Sequence, residues 1–178
     1  MKLSVIDERD MTPELDEEIR AGLCTCFPAD APAFSRARPW HGSAPEYSVV
    51  LQDGERVVAH AGVVNRTITV GGGPLRVAGV QSVYVLPEGR GKGLSAPVLE
   101  AAMEEAARRD FDCGLLFCVP SLQPVYARCG WQGLGPREVI RVEKGRELPI
   151  PDKNVTMFYP IRITAFPEGP IHLQGNDW

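Results

Sequence analysis

Residues 75–86 read as an apolar strand, residues 96–109 as a helix, and a glycine-rich basic turn joins them. A wholly apolar run, Gly114-Leu115-Leu116-Phe117-Cys118-Val119, follows at once. No other feature of the chain constrains its fold as much. A helix between two strands carries the chain back across a sheet, so 114–119 is expected to lie buried and parallel to the strand before it. The helix rests on Val98, Leu99, Ala102, Met103 and Ala106, which share one face. Pro97 falls in its first turn, where proline is tolerated.

The turn itself, Glu88-Gly89-Arg90-Gly91-Lys92-Gly93-Leu94-Ser95, carries the chemistry. A loop opening a helix aims several backbone N–H groups and the positive end of a dipole at one point, which suits a phosphate. Gly91 and Gly93 let the main chain approach a ligand closely, and Arg90 and Lys92 add charge. A diphosphate-bearing cofactor fits that description. A P-loop does not, because Lys92 is followed by Gly93 and the upstream glycine position is Leu86. Gly91-x-Gly93-x-x-Ala96 meets a loose dinucleotide fingerprint. That fingerprint should open a βαβ unit, whereas this strand ends an antiparallel run. A plain strand–turn–helix connection with a surface basic pair is the remaining reading.

Elsewhere the pattern is a short strand (3–7), then a helix that Thr12-Pro13 starts well. Leu15, Ile19, Leu23 and Cys26 continue that helix. Residues 28–45 hold four prolines with Trp40 and His41 among them, and long loops of this kind are often functional. Strands are expected at 46–52, 55–70 (bent near Gly62) and 75–86, the first pair closed by Asp53-Gly54. A short helix runs from Ser121 through Tyr126, with Gly130 as its cap. Residues 131–142 and 155–161 read as strands with a polar loop between them, and 162–178 as an irregular tail. No repeat or second domain is evident, so 1–178 is read as one domain.

With 178 residues the chain is long enough to bury a core. The net charge of -4, without a basic stripe, argues against nucleic acid. No apolar run approaches the about 20 residues of a membrane span, and no secretory segment opens the chain. Five cysteines, an odd number, fit reduced thiols and a cytoplasmic location better than a disulfide framework. Cys24-x-Cys26 lacks the spacing and partners of a metal site, and no metal is expected.

Strand, Arg-Gly-Lys-Gly turn, helix, buried strand, then Tyr126-Ala127-Arg128-Cys129-Gly130-Trp131: the combination resembles the GCN5-related N-acetyltransferases (GNAT) over residues 46–142. The resemblance implies an α/β (α+β) fold with a mixed, mostly antiparallel sheet flanked by helices and a parallel strand pair splayed at the acetyl-CoA site. Val58-Ala59-His60-Ala61-Gly62-Val63-Val64, the 151–161 segment and Trp178 are further similar to aminoglycoside 2′-N-acetyltransferases. The His60 region and Phe166-Pro167-Glu168-Gly169-Pro170 are similar to the nodulation acyltransferase NodA. Both families modify the amine of a glucosamine-like ring.

The implied activity is transfer of an acetyl group from acetyl-CoA to the primary amine of a small molecule, an amino sugar or aminoglycoside-like metabolite. A longer acyl donor, as in NodA, and a catalytically silent acyl-CoA-binding module are the alternatives. The resemblance puts Val83, Tyr84, Val85, Arg90, Gly91, Lys92, Gly93, Leu94 and Ser95 on the cofactor. It makes Tyr126 the acid for the leaving thiolate and Asp152 an acceptor-site carboxylate, with Trp178 in the acceptor pocket; Trp40, in the long loop, is read separately as a wall of the same pocket or as loop packing. Gln81 stands where the aminoglycoside enzymes carry a carboxylate; it can orient a substrate or a water but takes no proton at neutral pH. Glu88, where the family's phosphate motif begins with Gln or Arg, should point outward. Arg36 and Arg38 are expected to bring positive charge to the acceptor loop beside Asp30. His60, mid-strand among apolar residues, reads best as a hydrogen-bonded core histidine. A small-molecule amine is the expected partner, and the sequence leaves room for a homodimer.

Overall fold

The computed structural model describes residues 1–151 and 154–178. Strand β1 (Lys2–Asp7) leads into helix α1 (Pro13–Cys26), where the Thr12 hydroxyl accepts the N–H of Leu15 at 3.3 Å. A short helix α2 (Ala31–Phe34) and a 3₁₀ turn (Trp40–Gly42) interrupt the long loop that follows. Then come the meander β2 (Tyr47–Asp53), β3 (Arg56–Val70) and β4 (Gly73–Val85), and helix α3 (Ser95–Arg108). The chain continues as β5 (Cys113–Cys118), α4 (Gln123–Ala127), β6 (Gln132–Gly133), β7 (Val139–Glu143), β8 (Arg146–Pro149), β9 (Val155–Pro160) and β10 (Ile171–His172).

One curled, mixed sheet holds these strands in the order β6-β9-β5-β4-β3-β10-β7-β8, with β1 and β2 branching from β3. The branch exists because β3 is long. Its first half pairs β2, and Thr69 and Val70 at its far end pair β10. Alternation along the strands gives each face its own core. Val49 and Leu51 pack toward α3 with Leu99 and Met103, whereas Val50 between them faces α1 with Ile19 and Leu23. Ile19, Leu23, Val49 and Val50 are wholly buried. Truncating Leu23 to Ala at such a site costs roughly 2–5 kcal/mol.

The crossover expected from the sequence is present, with β4 and β5 parallel. Three expectations need correction. Residues 131–142 do not form one strand. Gly135, at φ 69°, and Pro136 break the run, so β6 pairs β9 while β7 pairs β10 and β8. The polar loop after 142 is a hairpin, turned by Lys144 and Gly145 at φ 50° and 75°. The tail is not irregular throughout, since Ile171 and His172 insert between β3 and β7. Among the described residues no helix is long and apolar enough to cross a membrane.

Candidate active site

The site exists because two parallel strands part company. β4 and β5 pair only through Val77–Gly79 and Cys113–Leu115. Beyond that point β5 stays with β9 and β4 stays with β3, so a gap opens between them. Two cavities occupy it, of about 460 and 710 Å³. Phe27, Val83, Leu122 and Tyr126 line both, so the cavities meet beside the Tyr126 side chain.

The larger cavity runs under the basic turn. Gly91 and Gly93 hold φ of 76° and 75°, a region in which a β-carbon is strained. The N–H groups of Gly91, Gly93, Leu94 and Ser95 have no backbone acceptor among the described residues. Arg90 and Arg128 stand on the cavity wall, and Leu94, Leu99 and Val125 supply an apolar lining. Free N–H groups and two guanidinium groups on a wall that is otherwise largely apolar fit a diphosphate attached to a thiol-bearing arm. Arg128 escaped sequence reading, because only the turn of α4 brings it to the cavity that Arg90 also lines. Lys92 is exposed and is not on this wall. The Tyr84 ring packs beneath α1, its hydroxyl buried without a partner and close to Gly22. Val83 and Val85 line the cavity beside it. Glu88 is exposed and paired with Arg56 at 2.6 Å.

β4 carries an extra residue opposite Ala61, and Ser82 takes the strain at φ 53°. His60 pins this bulge. Its Nδ1–H donates to the Ser82 carbonyl at 2.8 Å, while the Ser48 hydroxyl lies 3.2 Å from Nε2. Arg38 donates to that same hydroxyl and is paired with Glu8 and Asp16. Arg38 is therefore buried in a neutralised network and brings no charge to the acceptor loop, contrary to expectation. Burial above all, with Arg38 adding to it against the Ser82 hydrogen bond, lowers the His60 pKa from 6.5 to about 4. The unfolded chain thus binds a proton between these values that the folded chain refuses. Stability should be full above pH 6.5 and fall by up to ~3 kcal/mol as pH drops toward 4. Urea midpoints across that range would show the slope, and His60→Gln should flatten it. An unchanged slope in that variant would assign the effect elsewhere.

The smaller cavity has a different lining. Its described ionisable lining is Asp30, His41, Cys118, Tyr126 and Asp177, with no lysine or arginine. Trp40 lies on its wall, packed between Phe34 and His41 at ring distances of 5.5 and 4.4 Å. Gln81 is buried, and its amide is committed to the main chain. Oε1 accepts the Trp40 N–H at 2.8 Å and Nε2 donates to the Ser43 carbonyl at 2.6 Å. It therefore staples the 40–43 turn, a positioning duty that the sequence did not reveal. Trp178 lies across Gly79, its indole N–H donating to the Leu115 carbonyl at 3.3 Å. It wedges the two strands where they part. Burial pushes the Cys118 thiol up to about 11, which leaves it protonated and a poor nucleophile. Tyr126 is raised well above the ordinary phenol range, chiefly by burial, and keeps its proton at neutral pH. Asp152 lies outside the described residues. Among those residues no cluster of three metal-ligating side chains occurs.

A family profile for the acetyltransferase (GNAT) domain matches residues 8–133. The aminoglycoside 2′-N-acetyltransferase of Mycolicibacterium fortuitum is 28% identical over 159 residues, 86% of this chain and 78% of that protein. Nodulation protein A of Mesorhizobium plurifarium is 29% identical over 153 residues, 84% and 74% respectively. Among solved structures, the GNAT protein YhbS of Escherichia coli, crystallised with CoA, superposes with a TM-score of 0.67 at 16% identity, covering 97% of this chain and 89% of that one. A GNAT acetyltransferase of Brucella melitensis, in complex with acetyl-CoA, gives 0.64 at 15% identity, covering 96% and 94%. The splayed strand pair, the cradle of free N–H groups and the profile match agree: this chain belongs to the GNAT acetyltransferase family.

Proposed function

We propose that this chain transfers an acetyl group from acetyl-CoA to the primary amine of a small cationic molecule, an amino sugar or aminoglycoside-like metabolite. The observation that carries the reading is the meeting of the two cavities at Tyr126, one walled by arginines and free N–H groups, the other by carboxylates. A cationic amine is attracted to the acidic wall, and the arginine-lined wall favours a polyanion. The relatives named for aminoglycoside N-acetylation and nodulation support an amino-sugar acceptor.

Each residue then has a task. Arg90, Arg128 and the N–H groups of the Gly91–Ser95 turn hold the diphosphate. The 81–85 segment of β4, which faces the gap and bulges at Ser82, supplies backbone N–H to the thioester oxygen as charge builds there. Tyr126 hands its proton to the departing sulfur. Gln81 holds the loop that walls the acceptor. Binding both substrates in one gap turns the encounter into an oriented, effectively unimolecular step.

A second reading, transfer of a longer acyl chain, draws on the apolar wall. Phe27, Phe34, Phe117 and Leu122 line the acceptor cavity beside Tyr126. The test is thiol release from acetyl-CoA and from longer acyl-CoAs against aminoglycosides, glucosamine oligomers, polyamines and amino acids, with CoA binding measured in parallel. Turnover of a glucosamine-type amine with acetyl-CoA supports the proposal. Turnover only with long chains selects the second reading. Tight CoA binding with no turnover indicates a silent binding module. Arg90→Ala should weaken CoA binding roughly tenfold or more, as loss of a charge-assisted hydrogen bond does. Lys92→Ala should do less. Unchanged affinity in the double variant would mean that the cradle is misplaced.

A further inference from the structure

The acceptor wall holds a histidine–aspartate pair that the sequence did not single out. His41 Nδ1 lies 2.6 Å from Asp177 Oδ1, across 136 residues of chain. A carboxylate only accepts, so the ring carries its proton on Nδ1 and leaves a lone pair on Nε2. Asp177 is 7% exposed in its side chain and is paired with Arg141, whose Nη1 donates to the same oxygen at 3.1 Å. The His41 side chain is 37% exposed, and both residues line the cavity that Tyr126 also lines.

The placement is held from several sides. His41 takes φ 45° and ψ 29°, a left-handed conformation uncommon outside glycine. Gln81 staples the turn on both flanks, through the Trp40 N–H and the Ser43 carbonyl. The tail is fastened in turn, because the Ser43 hydroxyl donates to the Asp177 carbonyl at 2.9 Å and Asn176 Nδ2 donates to the His41 carbonyl at 3.3 Å. The Trp40 ring packs against the His41 ring at 4.4 Å, tilted by 31°. A strained residue held by two chain segments and oriented by a buried carboxylate has the geometry of a general base.

We propose that His41 is the general base that deprotonates the acceptor ammonium, with Asp177 as its positioning residue; this deepens the transferase reading and rests on it. The ammonium gives one proton to Nε2, and the freed lone pair forms the C–N bond while the C–S bond breaks. Tyr126 protonates the sulfur, and the amine's second proton restores Tyr126. His41 returns its proton to solvent, so amine plus thioester become amide plus thiol.

Among the described residues, the charged and titratable groups facing His41 are Asp177, with Arg141 and Arg66 beside it, and Asp30, Cys118 and Tyr126 on the shared cavity wall. His41→Ala and His41→Gln should each lower kcat about 100-fold, the usual order for a lost general base. Acetyl-CoA affinity should stay the same. Glutamine can keep the bond to Asp177 and hence the tail, so it separates chemistry from folding. Added imidazole should restore part of the rate to His41→Ala, and the acid limb of the wild-type kcat profile should vanish in both variants. Nitrogen-15 NMR, assignable by substitution among three histidines, should show the Nδ1–H form at His41. Asp177→Asn should abolish that preference. Wild-type kcat in His41→Gln, or an Nε2–H tautomer, overturns the base assignment alone. A wild-type protein that acetylates no amine overturns the transferase reading and takes the assignment with it.

Discussion

Replacing Tyr126 with phenylalanine should lower the single-turnover rate about 100-fold and leave acetyl-CoA affinity nearly unchanged. The size is that of a lost general acid. Tyr126 lies on both cavity walls and is 8% exposed. Burial holds its pKa well above the ordinary phenol range, so at neutral pH nearly every molecule carries the proton. Such a phenol is a reluctant acid toward water. A thiolate leaving a thioester beside that hydroxyl is a different acceptor, because its negative charge would otherwise develop without a donor. Phenylalanine keeps the ring, including its edge-on contact with Trp131 at 6.2 Å, so packing changes little. Rapid-quench measurement of the acetylated product at saturating substrates isolates the step. A wild-type rate in that experiment would remove Tyr126 from the chemistry and leave it a packed aromatic.

The parts of the fold written in local pattern were legible before any coordinates. The Arg90–Ser95 turn, the α3 face and the continuous apolar run of β5 each announce themselves within a dozen residues, and together they dictate a parallel pair after a crossover. The bend near Gly62 was also legible, although the extra residue turned out to sit on β4 at Ser82. What stayed hidden depends on contacts between distant segments. β10 is two residues long and has no periodicity to read. Arg38 appeared as free charge because Glu8 and Asp16, which neutralise it, lie 30 and 22 residues away. His41 was visible only as one residue of a proline-rich loop, since its partner comes from the other end of the chain. Gln81 shows the same limit in another form. Its type excluded a base, but only the fold shows that both ends of its amide are spent on the 40–43 turn. A lone Gln opposite a loop rich in turn residues could have suggested a staple, and nothing in the sequence says which loop.

Trp178→Ala should destabilise the protein by roughly 3–5 kcal/mol, the range for deleting a buried tryptophan side chain. The indole is 5% exposed, with Arg66 over its face at 5.1 Å and Phe117 beside it at 5.5 Å. Its N–H also caps the Leu115 carbonyl at the last position where β5 pairs β4, which would be left without that donor. At about 2–4 °C per kcal/mol for a chain of this size, Tm should fall by roughly 10 °C. Gly79 provides the discriminating partner. A β-carbon built there would lie 2.4 Å from the indole, so Gly79→Ala should destabilise by about 1–3 kcal/mol through overpacking. With the ring gone that methyl has room, and in the Trp178→Ala background the same substitution should cost far less. Strict additivity in this double-mutant cycle would mean that the indole does not rest on Gly79. The same wedge predicts a functional split. Trp178 lines the acceptor cavity and is not on the cofactor wall, so its loss should raise the KM for the amine more than the Kd for CoA. Equal losses on both sides would instead mean that the two cavities depend on one strand gap whose width Trp178 sets.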